Sequence, residues 1–116
     1  MSLVDPTQQL LEAAMRGSWQ RQIALTGNVA NADTPGYQRR DVDFESILGK
    51  ALGGGQSPQE VPFEAEVQPT APGPNGEGIS IDQEEASLSE NGLDYEALTQ
   101  VVGARDQTLR AAIGVA

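Results

Sequence analysis

Apolar residues recur at three- and four-residue steps near both ends of the chain and lose that rhythm in between. In the first part Leu11, Met15, Leu25 and Val29, with Ala14, Trp19 and Ile23 beside them, form one stripe at helical spacing. Asp5-Pro6 opens it well: a carboxylate placed to accept from free backbone N–H groups, then a proline whose missing donor is harmless in a first turn. A helix is therefore expected from there to about Asn31. The stripe is thin in its middle, where "RGSWQRQ" is mostly polar and Gly17 costs roughly 1 kcal/mol relative to alanine, so this helix needs something to pack against. In the last part Leu88, Tyr95, Val102 and Leu109 fall seven apart, with Leu98, Val101, Ala112 and Ile113 at adjoining positions. Such a repeat favours a left-handed helix pair or bundle. Asp82 with Glu85 three residues on predicts its cap. Asn91-Gly92 is a turn dipeptide, yet the repeat keeps phase across it, so a continuous helix with a weak point there is expected. Arg105 and Arg110 suit the negative end of the helix dipole.

Between the two periodic parts the chain reads as a turn, two short pieces and a long loop. "NVANADTPGYQRRDVDF" ends the first helix: Asn31 tolerates left-handed backbone, Thr34 precedes a proline, and Pro35-Gly36 suits the centre of a type II turn. Asp33 is placed to bond back to nearby backbone. "YQRRDVDF" predicts a short extended piece, and "DFESILGKAL" a brief helix capped by Asp43 with Phe44, Ile47, Leu48 and Leu52 on one side. From Gly53 to Gly78 glycine, proline and acid dominate, and only "VPFEAEV" alternates like a strand. This is a loop, or a segment ordered in contact with partners, and it exceeds the ~12–15 residues usual for unstructured loops. The expected fold is mainly α: two long terminal helices pairing as an antiparallel-type coiled coil, with a largely irregular middle and a short strand. One structural unit divides into 1–37 (helix and turn), 38–52 (extended piece and short helix), 53–81 (acidic Gly/Pro-rich loop) and 82–116 (helix).

Composition narrows the function. The 116 residues contain no Cys and no His, which removes the usual nucleophile, the usual base near neutral pH and the commonest transition-metal ligands. No cofactor or metal is expected. Asp41 with Asp43, or Glu84 with Glu85, are the acid pairs an enzyme would have to use, but neither sits beside a phosphate loop, nucleophile or third ligand. The net charge of −10 argues against nucleic acid. Residues 1–40 carry a net +1, residues 41–100 carry −12 and the remainder +1. Near-neutral ends suggest surfaces that bury themselves; the acidic centre is either a solvated run or a contact surface for a basic partner. No apolar run approaches the ~20 residues that span a bilayer, and "MSLVDPTQQLLEAAMRGSW" lacks the basic and apolar regions of a cleavable signal. Few apolar side chains stand against many residues to be ordered, so an isolated monomer is expected to be marginal and to gain stability by lending its helices to neighbours.

Ala30, Asn31, Thr34, Pro35, Gly36 and Tyr37 make an Ala-Asn-x-x-Thr-Pro-Gly-Tyr pattern after "RQIALTGNVA". Together with "ENGLDYEALTQVVGARDQTLRAAI" this resembles the flagellar rod and hook axial protein family, and "RRDVDFE" favours a rod member. The resemblance covers both terminal parts and not the middle. It implies a structural subunit of the proximal rod, whose terminal helices associate as a coiled coil and pack into the wall of a hollow tube. It also implies export, unfolded, through the flagellar type III apparatus into the periplasmic basal body. The implied partners are other rod subunits, copies of the chain, and the export-gate and adaptor components below.

Within that picture Asn28, Asn31, Asp33, Thr34, Pro35, Gly36 and Tyr37 form the turn and assembly motif, redirecting the chain identically in every copy. Leu11, Met15, Leu25, Val29, Leu88, Tyr95, Leu98, Val102 and Leu109 are the helix-packing set. Phe44 and Leu48 in "FESIL" fit the loose Phe-x-x-x-hydrophobic export pattern, although any amphipathic turn can produce it and a short packing helix is the better explanation. A small acidic helical adaptor or chaperone-like protein is the alternative, and it would behave as a well-folded monomer or dimer.

Overall fold

The computed structural model describes residues 5–68 and 78–114; residues 69–77, the proline-richest stretch of the expected loop, and both chain tips lie outside them. The Asp5 carboxylate accepts from the N–H of Gln8 at 2.7 Å and starts α1, Pro6–Ala30. An extended stretch follows, with β1 at Arg40–Asp41. Asp43 then caps α2, Phe44–Gly53, by accepting from the N–H of Ser46. A single 3-10 turn at Pro58–Glu60 leads to β2, Glu66–Val67, which pairs antiparallel with β1 in the register Arg40 with Val67 and Asp41 with Glu66. The chain finishes in α3, Ile81–Ala112, 32 residues without a break at Asn91-Gly92. Thus the terminal helices pair and the molecule is mainly helical, as expected.

Three local expectations are corrected. Asn31 is not left-handed: its φ is −111°. Its side-chain Nδ2 donates to the Gly27 carbonyl at 2.9 Å, satisfying a helix-end acceptor directly, so no left-handed reversal is needed. The cap of α3 is Ser80, whose hydroxyl accepts from the N–H of Gln83, and Asp82 sits in the first turn, where its charge suits the positive helix end. Residues 53–68 are not merely loop. Val61 and Phe63 are buried and join Val42, Phe44 and Leu48 against Ala13 and Ala24 of α1. The main apolar core therefore lies between α1, α2 and this segment, not between the two long helices.

Gly17 explains how that core closes. A Cβ there would collide with the Cβ of Phe44 and lie 3.0 Å from both Phe44 Cγ and Phe63 Cε1. The residue that weakens α1 as a helix is the one that lets the Phe side chains reach it. Arg16 beside it donates to the carbonyls of Pro58 and Val61, at 3.1 and 3.2 Å, and lies over the Phe63 ring. The irregular segment is thus tied to α1 by both packing and hydrogen bonds.

Candidate assembly interface

The contact between α1 and α3 is held at its most buried points by polar groups. Among the described residues α3 buries only Glu84 and Asn91, and α1 sets Gln8, Ser18 and Asn28 among its buried positions. In the centre Asn91 Nδ2 donates to the Ser18 carbonyl at 2.8 Å and to Gln22 Oε1 at 2.9 Å, while the Ser18 hydroxyl donates to Asn91 Oδ1 at 3.2 Å. Toward the turn, Asn28 Nδ2 donates to Glu84 Oε2 at 3.2 Å, and Arg39 donates to the other carboxylate oxygen. At the far end Arg105 bonds Gln8 Oε1 at 3.1 Å and both oxygens of Asp5, at 2.8 and 3.1 Å. Among the described residues no buried side-chain nitrogen or oxygen lacks a partner. These pairings run in opposite directions along the two helices, so the pair is antiparallel.

The turn is built from the same groups. Asn28 is fully buried and mimics a strand neighbour to Arg40: its Nδ2 donates to the Arg40 carbonyl at 2.7 Å and its Oδ1 accepts from the Arg40 N–H at 2.9 Å. Between them the chain reverses, with the Tyr37 N–H bonding the Thr34 carbonyl at 3.1 Å across Pro35-Gly36 and Gly36 at φ +77°. That φ belongs to the left-handed region that glycine enters without strain. The Thr34 hydroxyl donates to Asn31 Oδ1, and Asp33 is exposed. Tyr37 is half-buried with its hydroxyl over Gly27, where an added Cβ would meet it at 3.3 Å.

Electrostatics close the strand end of the site. Asp41 accepts from Arg21 at 2.9 Å and Arg39 at 3.2 Å. Burial pushes its carboxyl up, but the Arg21 bond and charge, the Val42 N–H and Arg39 outweigh it, and the net shift is downward. Burial likewise opposes the charge on Arg39, and Glu84 and then Asp41 reverse that, raising it above its ordinary value. Asp5 is held below the usual carboxylate range by the Gln8 N–H, against some desolvation, and by Arg105. The acid pairs singled out in the sequence are thus split: Asp41 and Glu84 sit in ion pairs, Asp43 caps α2 and Glu85 is exposed.

No protein-family model matches the chain. Individual relatives do, over most of their length. A flagellar basal body rod protein FlgB of Escherichia coli (strain K12) is 34% identical over 113 residues, 80% of this chain and 82% of that protein. One from Salmonella typhimurium is 30% identical over 122 residues, 88% of each chain. The chain belongs to the FlgB family of flagellar basal body rod proteins. A more distant FlgB, from Bacillus subtilis (strain 168), is 27% identical over 125 residues and spans 97% of both chains. Among the described residues no helix is long and apolar enough to cross a membrane and no cluster of acids could hold a metal ion.

In this FlgB-family chain the residues singled out from sequence are distributed unevenly. Leu25 is fully buried, whereas Leu11, Met15, Val29, Leu88, Tyr95, Leu98, Val102 and Leu109 are half-buried. Tyr95 meets Trp19, ring centroids 5.8 Å apart. Val101 and Ile113, expected beside the repeat, are exposed, as is Leu52, whose place against the core Ala51 takes. Phe44 and Leu48 are buried in the core. Sequence reasoning missed Gln8, Ser18, Glu84 and the structural role of Asn91. A signal for two of them existed: Glu84, Asn91, Leu98 and Arg105 are seven apart and interleave with Leu88, Tyr95, Val102 and Leu109 in alternating steps of four and three, the seam of a coiled coil. Arg105 bridges to Asp5 and does not merely cap the helix end.

Proposed function

We propose that this FlgB-family chain is a structural subunit of the proximal rod, with no catalytic role, polymerising through its terminal helices into a hollow drive shaft for motility. It stands in the periplasmic part of the basal body after export through the type III apparatus. Its partners are copies of itself, other rod subunits, and the export-gate and adaptor components beneath. The observation that carries this reading is the apolar surface the folded monomer leaves open on both long helices. Trp19 and Ile23, one turn apart on α1, are each 52% exposed, and on α3 Leu93 is 68% and Val101 46% exposed. Such strips on an otherwise acidic molecule are suited to burial against neighbouring helices.

Ile23→Asp and Leu93→Asp separate assembly from folding, because both residues are more than half exposed in the folded chain and belong to no buried cluster. Each variant should keep its helical circular dichroism and lose incorporation and swimming; normal motility in both would overturn the proposal. Leu98→Asp and Val102→Asp, on the seam itself, should abolish assembly while leaving soluble expression. At the turn, Pro35→Ala with Gly36→Ala should be exported and fail to incorporate. With Phe44 and Leu48 inside the folded core, any export signal they form is read before folding, so Phe44→Ala should lower secretion; unchanged secretion would remove that signal.

A further inference from the structure

The two columns that make the α3 seam differ in what they specify. Leu88, Tyr95, Val102 and Leu109 are all apolar, all half-buried and all seven residues apart, so sliding α3 by seven along α1 replaces each with a residue of the same kind. Only Tyr95 is singled out, by the Trp19 ring 5.8 Å away; the rest of the apolar column does not distinguish the native register from that slide. The other column, Glu84, Asn91, Leu98 and Arg105, has a different chemistry at every step. Each polar member meets a partner that suits it alone: Glu84 takes Asn28 and Arg39, Asn91 takes Ser18 and Gln22, and Arg105 takes Asp5 and Gln8. A slide by seven sets Leu98 against Ser18 or Glu84 against Ser18 and Gln22, stranding buried polar groups that are costly to leave unpaired.

We infer that Asn91 and Glu84 are positioning residues that specify the register of α1 against α3, while apolar packing supplies stability without specifying it. A buried polar residue in a coiled-coil seam is well suited to this because it penalises wrong pairings more than it rewards the right one. Asn91 is fully buried and Glu84 is 2% exposed, so neither falls back on water when mispaired. The inference concerns the folded monomer and does not depend on the rod assignment. If the chain is a rod subunit, a single register is what presents the same outer strips in every copy.

Distance measurement between spin labels tests it. The chain has no cysteine, so Gln20→Cys and Gln107→Cys, both at exposed helix positions, give the only two label sites. The otherwise wild-type chain should give one distance. The triple variant Ser18→Ala, Glu84→Met, Asn91→Leu removes both inner clusters and strands little, since Asn28 keeps both bonds to the Arg40 backbone and Arg39 keeps Asp41. It should remain helical, melt no lower than the parent, and show a second distance displaced by roughly 10 Å, the rise of seven helical residues. Conversely, Leu88→Ala should lower the melting temperature and keep the single parental distance. A single distance in the triple variant, loss of its helical signal, or two distances in Leu88→Ala would each overturn the inference.

Discussion

Gly17 and Gly103 are both helix-interior glycines, and the same substitution should move them in opposite directions. At Gly17 an added methyl meets Phe44 and Phe63, so Gly17→Ala should lower stability by about 1–3 kcal/mol, the usual range for an overfilled core. At Gly103 nothing lies within 4 Å of the added carbon, and Gly103→Ala should raise stability by roughly 0.5–1 kcal/mol. Chemical denaturation of the two variants checks both signs. Local propensity reads these glycines identically; the difference comes from residues 27 and 46 positions further along the chain, which no window on the sequence contains. Charge is equally specific. Asp41 is depressed by its arginines, so its contribution is complete above the ordinary carboxylate pKa of about 3.9 and lost as pH falls through its lower folded value. Melting temperature should be flat from pH 6 to 8, where a chain without histidine has little to titrate, and fall below about pH 4. Asp41→Asn should flatten part of that fall.

At the scale of elements, the terminal helices, their antiparallel pairing and the short capped helix at Phe44 are legible in the sequence because each rests on a local period and a local cap. The seam between α1 and α3 is half legible. Its apolar column stands out by hydrophobicity, whereas Glu84, Asn91 and Arg105 share the seven-residue spacing but not the hydrophobicity, and only their partners from α1 show why they are there. At Asn91-Gly92 the dipeptide's turn preference is overridden, as the unbroken repeat predicts, but the bonds to Ser18 and Gln22 that hold Asn91 in the helix pair are not local and leave no mark in the sequence. The segment around Val61 and Phe63 shows its strand-like alternation over residues 61–67 in the sequence, but not the packing of those two side chains against α1, which depends on partners far along the chain. Its attachment should depend on Arg16, which bonds two of its carbonyls. Arg16→Ala should speed hydrogen exchange at residues 58–67 by about tenfold or more, as expected for loss of charged hydrogen bonds, with little change in the centre of α3.

The whole molecule is a stalk with a shoulder. Its radius of gyration is 17.5 Å, with extents of 61 × 30 × 15 Å, against about 13 Å for a compact domain of this length. Such a shape keeps much of both long helices in solvent, and it is there that Trp19, Ile23, Leu93 and Val101 remain uncovered. The shoulder has a closed apolar core of its own, built from Val42, Phe44, Leu48, Val61 and Phe63, whereas the outer side chains of the two long helices are open. An image reconstruction of the basal body with this subunit placed tests that division most directly. The account predicts α1 and α3 paired in the wall, with Trp19, Ile23 and Leu93 covered by adjacent subunits. Helices that separate in the rod, or those three side chains left facing solvent, would contradict it.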